Sequence, residues 1–534
     1  MKKIFEFGNR VKARELIIFG LLALFTALCT VIGKSITENG YVAGDNQKSF
    51  FLIACGIALS VVYAVVYCIL FKLICGVAEE SSYGIVKATK TTFWILWLLM
   101  VLCRIPIFVA LYPGVFGYDI GTQAIYAYGE GFSLYTLHHP PLHTMYVDLC
   151  IMIAEKFGLS VSTVMGVIQI PITSLWFSAF LTWLIKRRAN KCITIVTAVF
   201  FYLDPYIEIF NLELTKEVWF GGTLLLTLMT LLDMSEDVEE FFGRKKNIIA
   251  LIGEVVLCCL LRNNAIYAFI LAIPIIILFY GKKGIKPGAT FVLALVIVTV
   301  VNKGLFIGAL GMKPGPSKEA LSVPIQQVAG SVYYSQNSMS EEQLSKVNDY
   351  LSLDLIRETY NPFSADPMKD IFKEDLYQAD KSAFWKTWAS IFKGHKREYM
   401  ESFLSTNVFY WFPFSGNVGG NPIDKAFPIG ESDPNRSTLT RLCHMTANDE
   451  LISRIPVINW FHSLGAPLFI MLFCLACLIR EREKKNYIVV ILPLLYLFTH
   501  LAGPVSNFRY IYPIFISYPL FGYLIMRKRK KEDH

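Results

Sequence analysis

Charged residues make up only 17% of this 534-residue chain while hydrophobic residues reach 54%. With a mean hydropathy of +0.48, that shortage of charge excludes a soluble globular protein. Cysteine is equally uninformative as a staple. Of twelve, only Cys443 falls in the long polar region 309–462, so a disulfide-stapled outer domain is excluded and no metal-type cysteine pair exists there. Cys258-Cys259 and Cys474/Cys477 read as small hydrophobes in apolar helices. No repeat or low-complexity tract is present. No small-x-small cleavage site follows the basic start (Lys2, Lys3, Arg10, Lys12, Arg14), so the first apolar run is expected to be a retained span.

The formal charge of +8 would suit a nucleic-acid partner if it were gathered on one surface. Instead it sits in short clusters between apolar runs: Lys186-Arg187-Arg188, Arg244-Lys245-Lys246, Lys282-Lys283, Arg480 to Lys485 and Arg527 to Lys531. That is the positive-inside pattern of a membrane protein, and no nucleic-acid partner is expected. Backbone in lipid must satisfy its own hydrogen bonds, which makes the apolar runs helices. They lie near 15–33, 51–72, 92–112, 162–185, 192–209, 217–233, 247–262, 264–280, 289–308, 463–479, 487–502 and 509–526. The expected fold is therefore an all-α polytopic membrane protein of about twelve transmembrane helices, with a mixed extracytoplasmic region.

With basic clusters inside, both termini are cytoplasmic and 113–161, 210–216 and 309–462 face outward, as do the turns near 263 and at 503–508. Met145 to Phe157, apolar but short, is placed along the outer surface. Three parts result: 1–308, an N-terminal transmembrane module; 309–462, an extracytoplasmic region; and 463–534, the last helices and a basic tail. In the second part Ser340 and Gln343 fit a helix capping box, and Phe403, Trp411 and Phe414 suit either a small domain or an interfacial belt.

The chemistry-bearing residues gather on the outward side. Tyr112-Pro-Gly-Val-Phe-Gly-Tyr-Asp119-Ile-Gly-Thr-Gln123 is followed by His138-His139-Pro140-Pro141-Leu142-His143. Gly114 and Gly117 permit a sharp turn before Asp119, a carboxylate that can act as a general base, ligate a divalent cation or cap the helix beginning at Ile120. Gln123, one turn on, can orient what Asp119 holds. The prolines fix an extended backbone that aims His138 and His139 at a phosphate or sugar, or merely form a turn. His139 and His143 have a zinc-like spacing that Pro140 and Pro141 spoil. Lys216-Glu217, Arg262-Asn263 and Arg509-Tyr510 suit an anionic headgroup, with interfacial snorkelling as the plain alternative. Arg104, within the third span, calls for an unnamed anionic partner. Transport would put such charges at the midplane; their convergence on one face favours surface catalysis on a membrane-held substrate.

These residues, in this order, resemble the GT-C superfamily of polytopic glycosyltransferases, such as protein mannosyltransferases and the aminoarabinose transferases of lipid A. Those families carry an acidic residue in the first outer loop with a His-Pro-Pro-type motif downstream, and Asp119 and His139-Pro140-Pro141 match. Lys216-Glu217 resembles a later acidic motif and Arg509-Tyr510 an Arg-Tyr near the last spans. The likeness covers roughly 90–300 and 460–526 and is weak in 309–462. Many relatives have an Asp-Glu pair where this chain has Asp119-Ile120, which bears on a metal role more than on a base role.

The resemblance implies an inverting transferase. It would move a sugar from a polyprenyl-phosphate-linked donor to an extracytoplasmic acceptor, a cell-envelope glycan, lipid or protein, at the cell membrane. Asp119 is the implied base, and Lys216, Arg262 and Arg509 stabilise the leaving phosphate. A divalent cation is left open. The rival readings are a surface-polysaccharide polymerase or ligase and a lipid-linked-sugar flippase or transporter.

Overall fold

Apolar segments that close every backbone hydrogen bond within themselves dominate the chain, and the computed structural model is helical throughout. It describes residues 13–41, 46–80, 87–114, 118–127, 131–213, 215–416 and 452–527. Among these there is no strand, only isolated bridges. Seven helices are long and apolar enough to cross a membrane: Ala13–Asn39, Ile53–Ala78, Lys90–Ala110, Val161–Lys186, Lys216–Glu236, Ala265–Ala309 and Lys484–Ala502. Lys191–Leu203 and Ala466–Arg480 are apolar but shorter.

We number the elements that matter here α1 (Ala13–Asn39), α2 (Asn46–Glu80), α3 (Lys90–Ala110), α4 (Tyr118–Ala127), α5 (Pro141–Phe157), α6 (Val161–Lys186), α7 (Lys191–Leu203), α8 (Pro205–Phe210), α9 (Lys216–Glu236), α10 (Lys245–Leu261), α11 (Ala265–Tyr280), α12 (Ile285–Val300), α13 (Ser322–Ser335), α14 (Ala466–Arg480), α15 (Tyr487–Thr499) and α16 (Phe508–Phe515). Ala265–Ala309 is two limbs. The chain reverses at Gly281–Gly284, where a Cβ on Gly284 would lie 2.8 Å from the Ile276 carbonyl oxygen, so only glycine lets the turn pack against α11. Beyond α12 the helix continues as a π-helical stretch, Val301–Ala309.

The basic clusters collect at one end of the bundle, where acidic partners meet them. Arg187 pairs with Asp233 and Glu236, Lys286 with Glu239 at 2.8 Å, Arg480 with Glu15 at 2.5 Å, and Arg527 with Glu483. The opposite end carries α4, α5 and the 309–416 region. α5 runs along this end as a separate helix. It starts with Pro141 in its first turn and stops at Gly158 in the left-handed conformation, φ 65°. Its buried face, Val147, Cys150, Ile151 and Ala154, packs on Ile120, Val164 and Met165, while Leu149, Met152 and Phe157 are exposed.

Within 309–416 the expectation of a mixed region is not met, because the described residues form helices around the buried α13. Ile325, Val328, Ala329 and Val332 are its inner face, met by Ile356, Met368, Phe384, Ile391 and Tyr399. The capping box at Ser340 and Gln343 forms as expected, each side chain accepting from the other residue's backbone N–H. Of the anticipated interfacial aromatics only Phe414 is well exposed; Phe403 and Trp411 are half-buried.

Two backbone seams fix this helical region to the membrane module. Leu137 N–H donates to the Lys313 carbonyl at 2.9 Å and Lys313 N–H to that of Tyr135 at 2.8 Å. Ala365 N–H donates to the Pro504 carbonyl at 2.7 Å. Gly117 and Cys443 lie outside the described residues, as does the rest of 417–451.

Candidate active site

Between the two seams lies a cavity of about 790 Å³ at the end of the bundle away from the basic clusters. Its entry chain turns at Gly114, φ +131°, where a Cβ would sit 2.9 Å from the Ser162 Cβ; the following helix α4 then presents Asp119 in its first turn. Asp119 does not serve as a cap. Its Oδ2 accepts from Lys216 Nζ at 2.5 Å and lies 3.8 Å from His139 Nδ1, and its Oδ1 is 3.2 Å from Arg509 Nη1. Lys216 heads α9 and Arg509 belongs to α16, so three distant segments converge on one carboxylate.

Arg262 caps the end of α10 and is held by Glu217, which is fully buried. The Arg262 and Arg509 guanidinium carbons lie 4.7 and 4.8 Å from the centre of the Tyr510 ring, a cation–π arrangement, and Arg509 Nη2 donates to the Tyr510 hydroxyl at 2.9 Å. Asn263 donates to the carbonyls of Leu137 (2.7 Å) and His138 (3.2 Å), fixing the loop that carries both histidines. On the Tyr510 side of the cavity three cations, Lys216, Arg262 and Arg509, face two carboxylates, Asp119 and Glu217, so the positive groups outnumber the negative ones there, whereas Lys369 faces both Glu319 and Asp366 elsewhere in the wall.

The residues named from sequence therefore divide. Asp119, His138, His139, Lys216, Arg262, Asn263, Arg509 and Tyr510 line the cavity. Glu217 lies behind it as the counter-ion of Arg262. Gln123 does not reach it: fully buried, it bonds His143 Nδ1 and Thr144 Oγ1 (3.1 and 2.9 Å), tying α4 to α5. His143 is thereby a packing residue rather than a ligand. Arg104 finds Glu208 at 3.3 Å, with Thr173 and Ser174, away from the cavity, and Asp204 pairs with His462 at 2.8 Å.

Asn264, beside Arg262 and Asn263 in the same outer turn, also lines the cavity, and sequence reasoning missed Glu319, Asp366, Lys369 and His500 in its wall. Lys369, nearly buried, joins Glu319 (2.5 Å) and Asp366 (3.3 Å). The remaining wall is apolar: Tyr267 and Leu271 from α11, Leu495 and Phe498 from α15. Tyr267, Leu271 and Phe498 are well exposed.

The electrostatics follow from this crowding. Burial opposes the charge on Asp119, but Lys216, Arg509 and His139 outweigh it and hold the carboxyl well below the usual range. Burial, reinforced by Lys216, pushes His139 down to about 3. Burial also lowers His138, against the opposing pull of Glu319. Both imidazoles are neutral at neutral pH. Because the folded state resists protonating His139, stability is fully present above the unfolded value near 6.5 and falls as pH drops from there towards 3. His139→Gln is expected to flatten the fall of the thermal unfolding midpoint across that window; an unchanged slope would remove His139 from the account.

Among the described residues no group of three or more His, Cys, Asp or Glu side chains is placed to hold a metal ion. Of the cavity's carboxylates, Asp119 already faces Lys216 and Arg509, and Glu319 and Asp366 face Lys369. The site thus does not fit a divalent cation, and no step is drawn through one.

No curated protein and no solved structure matches this chain. A family model described as "Family of unknown function (DUF6020)" matches residues 130–534, and the chain belongs to that family.

Proposed function

We propose that this family member is a membrane glycosyltransferase of the GT-C kind, moving a sugar from a polyprenyl-phosphate-linked donor to an extracytoplasmic acceptor. The observation that carries the reading is one cavity with two chemistries. Its charged floor (Asp119, Lys216, Arg262, Arg509) suits a phosphate, and its apolar flank (Tyr267, Leu271, Leu495, Phe498) opens on helices apolar enough to lie in lipid. A lipid-linked sugar phosphate needs both at once. A cavity confined to one end of the bundle suits group transfer at the surface better than passage across it.

In the ligand-free arrangement Asp119 is a poor base, since two cations hold its charge. A donor phosphate competes for Lys216 and Arg509 and so releases the carboxylate when, and only when, donor is bound. The acceptor hydroxyl then attacks the anomeric carbon as its proton passes to Asp119. The new glycosidic C–O bond forms as the sugar–phosphate C–O bond breaks, and the pair of electrons leaves on the polyprenyl phosphate. Arg262, Lys216 and Arg509 stabilise that charge. Direct displacement inverts the anomeric centre. Purified protein given undecaprenyl-phosphate sugar and envelope acceptors should release free polyprenyl phosphate; movement of intact donor between leaflets without its consumption would make the protein a transporter instead.

The proposed topology has twelve crossings, both termini in the cytoplasm and the cavity outside. It is supported by the alternation of helix ends and by the basic clusters lying opposite the cavity. Ile125, exposed on α4, tests it: Ile125→Cys should react with an impermeant thiol reagent in intact cells beyond the parent protein's background. Reaction only after lysis reverses the orientation.

A further inference from the structure

Among the polar side chains of the cavity wall that this scheme leaves unused, His500 stands apart. His500 follows α15 at the cavity, 4% exposed, and its Nε2 has no hydrogen-bond partner among the described residues. Its ring is stacked on Tyr510, 5.2 Å between centres and 4° between planes, the same ring that Arg262 and Arg509 flank. Arg262 Nε and Arg509 Nε are likewise buried without partners. A buried donor without an acceptor loses its hydration with nothing in return, so a cluster of them around one aromatic ring points to a ligand with several oxygens.

The proton on His500 can be located by following hydrogen bonds from one residue to the next. Thr499 Oγ1 gives its only hydrogen to the Tyr496 carbonyl at 2.7 Å, so towards Asn264 it can only accept. Asn264 must therefore turn its amide NH₂ to Thr499 (2.8 Å), and the same nitrogen lies 3.3 Å from His500 Nδ1. Nδ1 is then the acceptor, and the hydrogen of the neutral ring sits on Nε2.

Resting on the donor class read above, we propose that His500 is a further binding residue of this cavity. Its Nε2–H donates to a phosphate oxygen of the lipid-linked ligand beside Arg262 and Arg509, and Asn264 is the positioning residue that keeps the hydrogen on Nε2. A neutral donor of fixed direction adds orientation without adding a charge that would hold the product phosphate.

The test is equilibrium binding of farnesyl monophosphate to the purified full chain in nanodiscs, with farnesol as the phosphate-free control. His500→Phe keeps the ring on Tyr510 but removes the N–H; it should weaken farnesyl phosphate about tenfold and leave farnesol unchanged. His500→Gln, whose amide nitrogen falls near the lost Nε2, should recover most of the affinity. Selective ¹⁵N-histidine spectra should show an Nε2-protonated ring that becomes a tautomer mixture in Asn264→Leu, a change that a purely packing role would not produce. Equal weakening of both ligands in His500→Phe, or none, overturns the inference. Should that variant fail to fold, failure of the folded Gln variant to bind like wild type overturns it instead. If wild type itself does not prefer farnesyl phosphate to farnesol, the donor class fails, and this is distinguishable from failure of His500 alone.

Discussion

Asp119→Asn is expected to bind a polyprenyl-phosphate ligand more tightly than the wild type while transferring almost no sugar. The two halves have one cause. Asp119 accepts from Lys216 at 2.5 Å and lies 3.2 Å from Arg509, so it is both the base and the internal counter-ion of the phosphate site. Removing its charge frees both cations for phosphate, which lowers the ligand's dissociation constant. It also removes the proton acceptor, which should lower kcat by about 10²–10⁴. Loss of folding would lower both together, so the opposed directions separate chemistry from damage. A variant that keeps wild-type transfer sinks the base assignment. One that loses transfer and binding in parallel shows that Asp119 holds the site together instead.

The second large effect concerns stability and lies away from the cavity. Arg104 in α3 and Glu208 in α8 form a pair at 3.3 Å, 1% and 2% exposed, and Arg104 also donates to Thr173 and Ser174 at 3.0 and 2.7 Å. Taking one partner away leaves a charge buried among apolar helices, a loss of roughly 3–5 kcal/mol in soluble proteins. Arg104→Met and Glu208→Leu should therefore each lower the thermal midpoint strongly in detergent. The double variant should be more stable than either single one, because no charge is left unpaired. Additive losses would mean that the pair contributes through packing alone.

How far the sequence carried can be judged from individual residues. Periodic apolar runs and their basic ends were legible because lipid imposes length and sign on every crossing. Asp119, Lys216 and Arg509 were legible because each ionisable group stands at the end of an apolar run, where nothing but a partner or a ligand justifies it. Their meeting was not legible, since positions 119, 216 and 509 are joined only by tertiary packing. Gln123 was misassigned because helical spacing puts it on the Asp119 face of an ideal helix, whereas α5 packs there and claims the amide through His143 and Thr144. Glu319 and Lys369 were missed because nothing local ties 309–416 to the cavity. His500 ends an apolar run and reads as an interface residue; its one signal was position, nine residues before Arg509 and just ahead of Gly503-Pro504.

The seams described above have a bearing on how such a protein can diverge. Residues 311–316 back the His138 loop so closely that a Cβ on Gly315 would lie 3.1 Å from the His138 nitrogen, and 361–365 clip to 503–505 on the far side of the cavity. The helical region is thus not a detachable cap. A chimera that exchanges it for a relative's must carry both clips with it, together with their landing strips at 135–138 and 503–505. The heritable unit of specificity is then a discontinuous one, written in three stretches of chain, and a crossover placed at the tidy boundary near 309 would cut through it.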